Sequence, residues 1–236
     1  MDLSLLLDPY ILTEVLVQGS VRGAMYALMA AGLSLIFGIM GVNKFSHGEL
    51  FMLGTYVMFF VTVILGWPWP LGIALAAAVL FFFGMFLERT LIDTLRRKAG
   101  RDWVLDAFIL TIGMLVVMQN LALISFGSER RGVTGLISGV LVWGPVIVSY
   151  ERLMILGVAS AVGLALWAFI RFSSLGKAIR AASQNPEAAQ TLGINIRSIY
   201  TITFGIGAGL AGLAGGLLIS IYPAYPTVGF EPVIKS

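Results

Sequence analysis

Leu50–Leu87 reads LFMLGTYVMFFVTVILGWPWPLGIALAAAVLFFFGMFL and carries no charged side chain. A helix crosses the hydrocarbon core of a bilayer in about 20 mostly apolar residues, so this stretch is too long for one crossing. Trp67-Pro68-Trp69-Pro70 interrupts it midway. Proline lacks a backbone donor and breaks a helix interior, and indoles favour the membrane–water interface. The stretch therefore reads as two transmembrane helices joined by a tight turn at one membrane surface.

Outward from it, further windows of spanning length run from Gly23 to Asn43, Ala107 to Ser128, Leu153 to Ile170 and Ser198 to Phe230. With the split stretch they make six spans. The composition agrees: hydrophobic residues are 58% and charged residues 11%, with a mean hydropathy of +0.95, outside the range of soluble domains. The expected fold is an all-α, polytopic transmembrane helical bundle, residues 1–236 forming a single membrane domain. Gly132 to Tyr150 is also uncharged, but its Gly, Ser and Thr and the β-branched run from Val140 to Val148 suit a short β-hairpin outside the membrane, closing at Trp143-Gly144-Pro145. The N-terminus has acids at Asp2, Asp8 and Glu14 and no basic head, so the first span is expected to be retained rather than cleaved as a signal peptide.

Several function classes are excluded. There is no cysteine and one histidine, so neither a disulfide framework nor a metal site is expected. No Gly-x-x-x-x-Gly-Lys-Ser/Thr phosphate loop and no nucleophile with a plausible base occurs, so catalytic residues and cofactors are expected to be none. The net charge of +3 sits in a few connecting loops, a pattern that sets membrane orientation rather than binding nucleic acid. With the N-terminus outside, the inner loops hold Lys44, Arg89, Arg96, Arg97, Lys98, Arg101, Arg171, Lys177, Arg180 and Arg197, which is 10 of the 15 Lys and Arg. Loops 88–106 and 171–197 are then cytoplasmic; a re-entrant element near Asn43 to Glu49 would alter the parity of the first spans. Arg96, Arg97, Lys98 and Arg101 interleave with Asp93, Asp102 and Asp106, as on a solvated helix.

Within 171–197 lies Asn185-Pro186-Glu187-Ala188-Ala189-Gln190-Thr191-Leu192-Gly193, a short polar helix between hydrophobic spans. Asn185 suits the N-cap, Pro186 the first helical turn and Gly193 the left-handed stop. Such care over two turns suggests a docking element.

The spacing Glu187-Ala188-Ala189-x-x-x-Gly193 resembles the coupling motif of ATP-binding-cassette importer permeases. Asn43-Lys44-Phe45-Ser46-His47-Gly48-Glu49 resembles a signature after the first helix of branched-chain amino acid permeases. Leu175-Gly176-Lys177-Ala178-Ile179-Arg180-Ala181 and Leu192-Gly193-Ile194 resemble their cytoplasmic loop, and Gly205 to Gly216 their next, small-residue helix. From about Gly19 onward the chain is similar to the LivH-type permease subunit. The resemblance implies a bacterial inner-membrane subunit that pairs with a second, homologous permease, two cytoplasmic ATPases and an external substrate-binding protein. It also implies further spans after Lys235, so the chain is expected to be truncated relative to the family. Asn185, Pro186, Glu187, Ala188, Ala189 and Gly193 become the expected ATPase-coupling residues.

Gly205 with Gly209 and Gly212 with Gly216 stand at four-residue spacing, which lets membrane helices approach closely. Internal packing is the first expectation for this face, and lining a path or meeting a second permease the alternative. Asn43, Ser46, His47, Gly48 and Glu49 are expected in a turn-rich loop where the first inner loop meets the membrane, with His47 structural rather than titrating. Arg22 is expected to snorkel from the first span. Methionines on the spans are expected to face lipid or fill gaps. Two alternatives remain: a urea, amide or simple-sugar permease of the same superfamily, and an ion-coupled secondary transporter or channel. The latter would need acids inside the membrane, and the spans from Gly23 onward read as having essentially none.

Overall fold

The computed structural model describes residues 9–41, 47–98, 103–133, 137–143, 146–221, 223–226 and 228. The elements are α1 (Pro9–Met40), α2 (His47–Phe59), α3 (Trp69–Leu87), α4 (Asp93–Lys98), α5 (Trp103–Phe126), β1 (Val140–Trp143), β2 (Val146–Ser149), α6 (Tyr150–Phe172), α7 (Ser174–Gln184), α8 (Pro186–Thr191) and α9 (Ile196–Leu218). A π-helical turn at Phe60–Ile64 extends α2, and another at Glu88–Ile92 joins α3 to α4 without a break. Six helices of the described residues are long and apolar enough to cross a membrane: Ile11–Met40, His47–Ile64, Trp69–Lys98, Leu105–Phe126, Tyr150–Phe172 and Ile196–Leu218.

The turn between the second and third spans follows its residues. Gly66 takes φ +67°, and Pro68 is extended as the N-cap of α3, whose first turn holds Pro70. Proline fits there because first-turn amides have no intrahelical partner. The hairpin forms as an antiparallel pair from Val140↔Ser149 to Trp143↔Val146; Gly144 and Pro145 of its closing turn lie outside the described residues. Ser149 also caps α6, its Oγ accepting from the Arg152 amide at 3.3 Å.

Three boundaries differ from the sequence reading. The first span does not start at Gly23: α1 begins at Pro9 and is 32 residues long. The helix runs through the charged residues Glu14 and Arg22, with Gln18 Nε2 donating to Glu14 Oε1 one turn earlier at 2.9 Å. The stretch from Glu88 is not a loop, because the helix runs on to Lys98. The last window reaches Phe230 by composition, whereas α9 ends at Leu218.

α9 is the centre of the bundle: 83% of its apolar window is buried, against 11% for α6 at the periphery. It packs against α3, α2 and α1. With no hydrophobic driving force between helices in lipid, this depends on close backbone approach. A Cβ on Gly207 would stand 2.8 Å from the Gly32 carbonyl oxygen of α1, and one on Gly212 only 2.7 Å from the Cβ of Leu80 on α3. One on Gly205 would meet Met85 Cγ at 2.7 Å, and one on Gly209 the Ala77 carbonyl oxygen at 3.2 Å. Gly215 lies against the Phe51 carbonyl oxygen, and Gly54 of α2 against Gly212. Met25, Met29, Met52 and Met58 fill the seams and are fully buried.

The bundle has two distinct ends. α4, α7 and α8 gather with the start of α9 at the basic end, where Arg197 Nη2 meets Asp93 Oδ2 at 2.9 Å. The hairpin end is closed by a backbone bridge between Arg131 and Ala224. Gly216 differs from its neighbours, since a Cβ there would meet Ala76 Cβ at an ordinary 3.4 Å. Gly212→Leu should therefore destabilise the purified protein by about 1–3 kcal/mol through overpacking, whereas Gly216→Ala should leave its melting temperature in detergent within a few degrees of wild type; thermal unfolding of both variants checks this.

Candidate functional site

The chain reverses sharply at Ser173 to build the segment between α6 and α9. Ser173 Oγ accepts from the Gly176 amide at 2.8 Å and so caps α7. Gly176 sits against the carbonyl oxygens of Ile170 and Phe169, where a side chain has no room. α7 then buries Gly176, Ile179 and Ala182 against the bundle.

Asn185 ends α7 and starts α8, its Oδ1 accepting from the Ala188 amide at 2.9 Å. Pro186 occupies the first turn. At the far end Gly193 takes φ +85°, its amide donating to the Gln190 carbonyl at 3.0 Å while the Ile194 amide reaches Ala189 at 3.1 Å. That left-handed stop is open to glycine at little steric cost. Asn195 then caps α9, its Oδ1 accepting from the Ser198 amide at 3.1 Å. Ala189 is buried and anchors α8, whereas Glu187, Ala188, Gln190 and Thr191 face outward. Leu192 is 83% exposed, the most exposed large hydrophobic side chain among the described residues. The sequence reading quoted Leu192 without assigning it a role; the available signal was one large apolar residue inside a polar, capped connector.

The His47-Gly48-Glu49 segment is not in an interfacial loop. It forms the first turn of α2, and His47 and Glu49 are buried at 0% and 1% exposure. Glu49 Oε1 accepts from Gln119 Nε2 at 2.9 Å, and Gln119 lies past the midpoint of α5 toward the hairpin end. α2 thus begins inside the bundle and runs to the hairpin end, where Tyr56 stacks on Phe126 at 4.2 Å and Arg131 lies over the Phe59 ring at 5.6 Å. Span parity is unchanged. Asn43 and Ser46 lie outside the described residues. Glu49 Oε2 has no hydrogen-bond partner among the described residues. On the other side of Gln119, a cavity of about 460 Å3 opens at the hairpin end, lined also by Ser128, Arg130 and Tyr225.

Glu88 and Asp93 are a second departure. Both are buried, at 0% and 2% exposure, so the spans do contain acids and the helix carrying Arg96 and Arg97 is not simply solvated. Each is held by partners: Thr201 donates its hydroxyl to Glu88, and Arg96, Arg97 and Arg197 converge on Asp93. No group of three or more His, Cys, Asp or Glu able to hold a metal occurs among the described residues.

Residues 15–235 match the family model described as branched-chain amino acid transport system / permease component. The chain belongs to that family. It is 34% identical to the Pseudomonas aeruginosa high-affinity branched-chain amino acid transport system permease protein BraD, over 94% of this chain and 76% of that protein. It is 32% identical to the Escherichia coli permease protein LivH of the corresponding system, over 92% of this chain and 74% of LivH. No solved structure matches the chain. The connector of α7 and α8 lies within the matched residues. The Asn185 cap generates a local expectation: Asn185→Ala should weaken α8 by about 1 kcal/mol, raising amide hydrogen exchange at Ala188 to Thr191 roughly fivefold with α9 unaffected, as read by mass spectrometry.

Proposed function

We propose that the chain is the transmembrane permease subunit of an ATP-binding-cassette importer and moves branched-chain amino acids inward across the bacterial inner membrane, which it crosses several times. The reading rests on α8: a helix capped at both ends, with the exposed Leu192 beyond it, set between two spans of a chain from this family. A soluble domain with an apolar groove suits that surface, because a small rigid element bearing one large apolar side chain docks with little loss of conformational freedom. Asn185, Pro186, Glu187, Ala188, Ala189 and Gly193 build and present the element, and Leu192 is its anchor.

The basic end faces the cytoplasm, in keeping with its Arg89, Arg96, Arg97, Lys98, Arg171, Lys177, Arg180 and Arg197. Two ATPase subunits dock there, one on this permease and one on a homologous partner permease. An external binding protein delivers substrate at the hairpin end, where the cavity beside Gln119 and Arg130 opens. Closure of the ATPases on ATP displaces α8 and tilts α6 and α9, which leave the connector in both directions, so that access alternates between the two sides. Gly205, Gly209, Gly212 and Gly216 serve helix packing within the subunit, and their contacts with α3 favour that over a place in the path. The names of the relatives favour branched-chain amino acids over urea, amides or simple sugars.

The test is uptake of radiolabelled leucine in cells that lack their own system and co-express the chain with its ATPase and binding-protein components. Glu187→Lys and Gly193→Pro should each cut ATP-dependent uptake at least tenfold and remove the ATPase from the purified complex while membrane insertion stays normal. Full co-purification of the ATPase with both variants would overturn the docking assignment.

A further inference from the structure

Two spans leave the docking connector directly along the chain, but α3 and α4 do not; they are separated from it by α5, the hairpin and α6. Yet α4 meets the first turns of α9 through a compact set of charges at the basic end. Asp93, its side chain 3% exposed, accepts from Arg96 Nη2 at 2.6 Å and pairs with the Arg97 guanidinium, Nε at 3.2 Å, on its own helix. It also forms an ion pair with Arg197 of α9, Nη2 at 2.9 Å. One turn further along α9, the Thr201 hydroxyl donates to Glu88 Oε2. Arg96 closes the set, with Nη2 3.9 Å from Glu88 Oε1 and its guanidinium 4.5 Å above the Tyr200 ring.

We propose that this cluster is a joint that carries displacement of α8 into the α3–α4 arm, with Arg197 as the positioning residue that engages it. The inference rests on the coupling role proposed for α8. Arg197 stands two residues after the Asn195 cap, so any movement of α8 reaches Arg197 before the transmembrane part of α9. The Asp93 carboxylate is buried while the Arg197 and Arg97 side chains are 50% and 58% exposed. Close charge pairs on one buried carboxylate are short and directional, and a set of them resists both separation and sliding. The π-helical turn at Glu88–Ile92 places Glu88 and Asp93 together toward α9 at the point where the helix leaves the glycine-packed region. Close packing binds α3 to α9 in the middle of the bundle, and the joint binds their ends, so that the two move as one body.

Arg197 is the position to change. Removing it leaves Asp93 compensated by Arg96 and Arg97 and so strands no buried carboxylate, whereas changing Asp93 would leave three cations facing one another. Spin labels on cysteines at Gln190 and Lys98, in the otherwise cysteine-free chain, report the distance across the joint. Arg197→Gln should broaden that distance distribution and lower leucine moved per ATP hydrolysed at least fivefold, with the ATPase still co-purifying. Arg197→Lys should restore most of both. An unbroadened distribution in Arg197→Gln, or unchanged leucine per ATP despite broadening, would overturn the joint. Absence of any ATP-dependent leucine uptake by the wild-type complex would instead overturn the transport reading, and the distance measurement would still decide whether Arg197 holds the two arms together.

Discussion

The structure depends on backbone meeting backbone along α9. In lipid, apolar side chains gain nothing by turning from bilayer to protein, so helix association comes from contact area and fit. α9 achieves this by lacking side-chain volume where it crosses other helices, at Gly207 against Gly32, at Gly212 against Leu80 and at Gly215 against Phe51. Each approach brings another helix onto one axis, which is why α9 is buried while α6 and most of α5 face outward. The same close packing makes α9 stiff relative to α3, and the coupling proposed for α8 relies on that stiff central helix to act on the membrane.

The element proposed to dock the ATPase could not exist on its own. A helix of six residues such as α8 is far below the length at which isolated helices persist in water. Here its ends are satisfied by Asn185 and the Gly193 stop, and its inner face is pinned by Ala189. Stability borrowed from caps and from one buried methyl leaves the outer face available, and Leu192 is exposed as a result. Beneath it, Asn195 restarts the helix and Arg197 immediately joins the charges of α4, so that the exposed Leu192, the cap and the charge cluster follow one another within a few residues.

Much of this was legible in the sequence because membrane insertion imposes a strong, local signal. Trp67-Pro68-Trp69-Pro70 splits a charge-free stretch into two spans, and the β-branched run from Val140 to Val148 pairs as two antiparallel strands; both elements formed as read. The caps at Asn185 and Gly193 were equally local. What was not legible came from treating charge as a marker of solvent. Glu88, Asp93 and Arg96 ended a hydrophobic window and so read as loop, yet their partners Arg197 and Thr201 lie a hundred residues away, and sequence spacing gives no hint of that pairing. Glu49 was misplaced for a related reason. Turn formers around Ser46 and Gly48 suggested an interfacial loop, whereas α2 begins within the bundle and Gln119 supplies the partner. Residues before Gly23 were left out of the first span because only charge-free windows were counted and Glu14 and Arg22 are charged, although the stretch also holds Val15, Leu16, Val17 and Val21 and the apolar helix runs from Ile11 to Met40.

The central claim is that Leu192 is covered by a cytoplasmic ATPase in the working complex. A photo-crosslinking amino acid placed at Leu192, and as a control at the exposed Ser138 of the opposite end, tests this most directly in intact membranes. The account predicts a covalent adduct with the ATPase subunit from position 192 and none from position 138. An adduct from position 192 with lipid alone, or one with the ATPase from position 138, would contradict it.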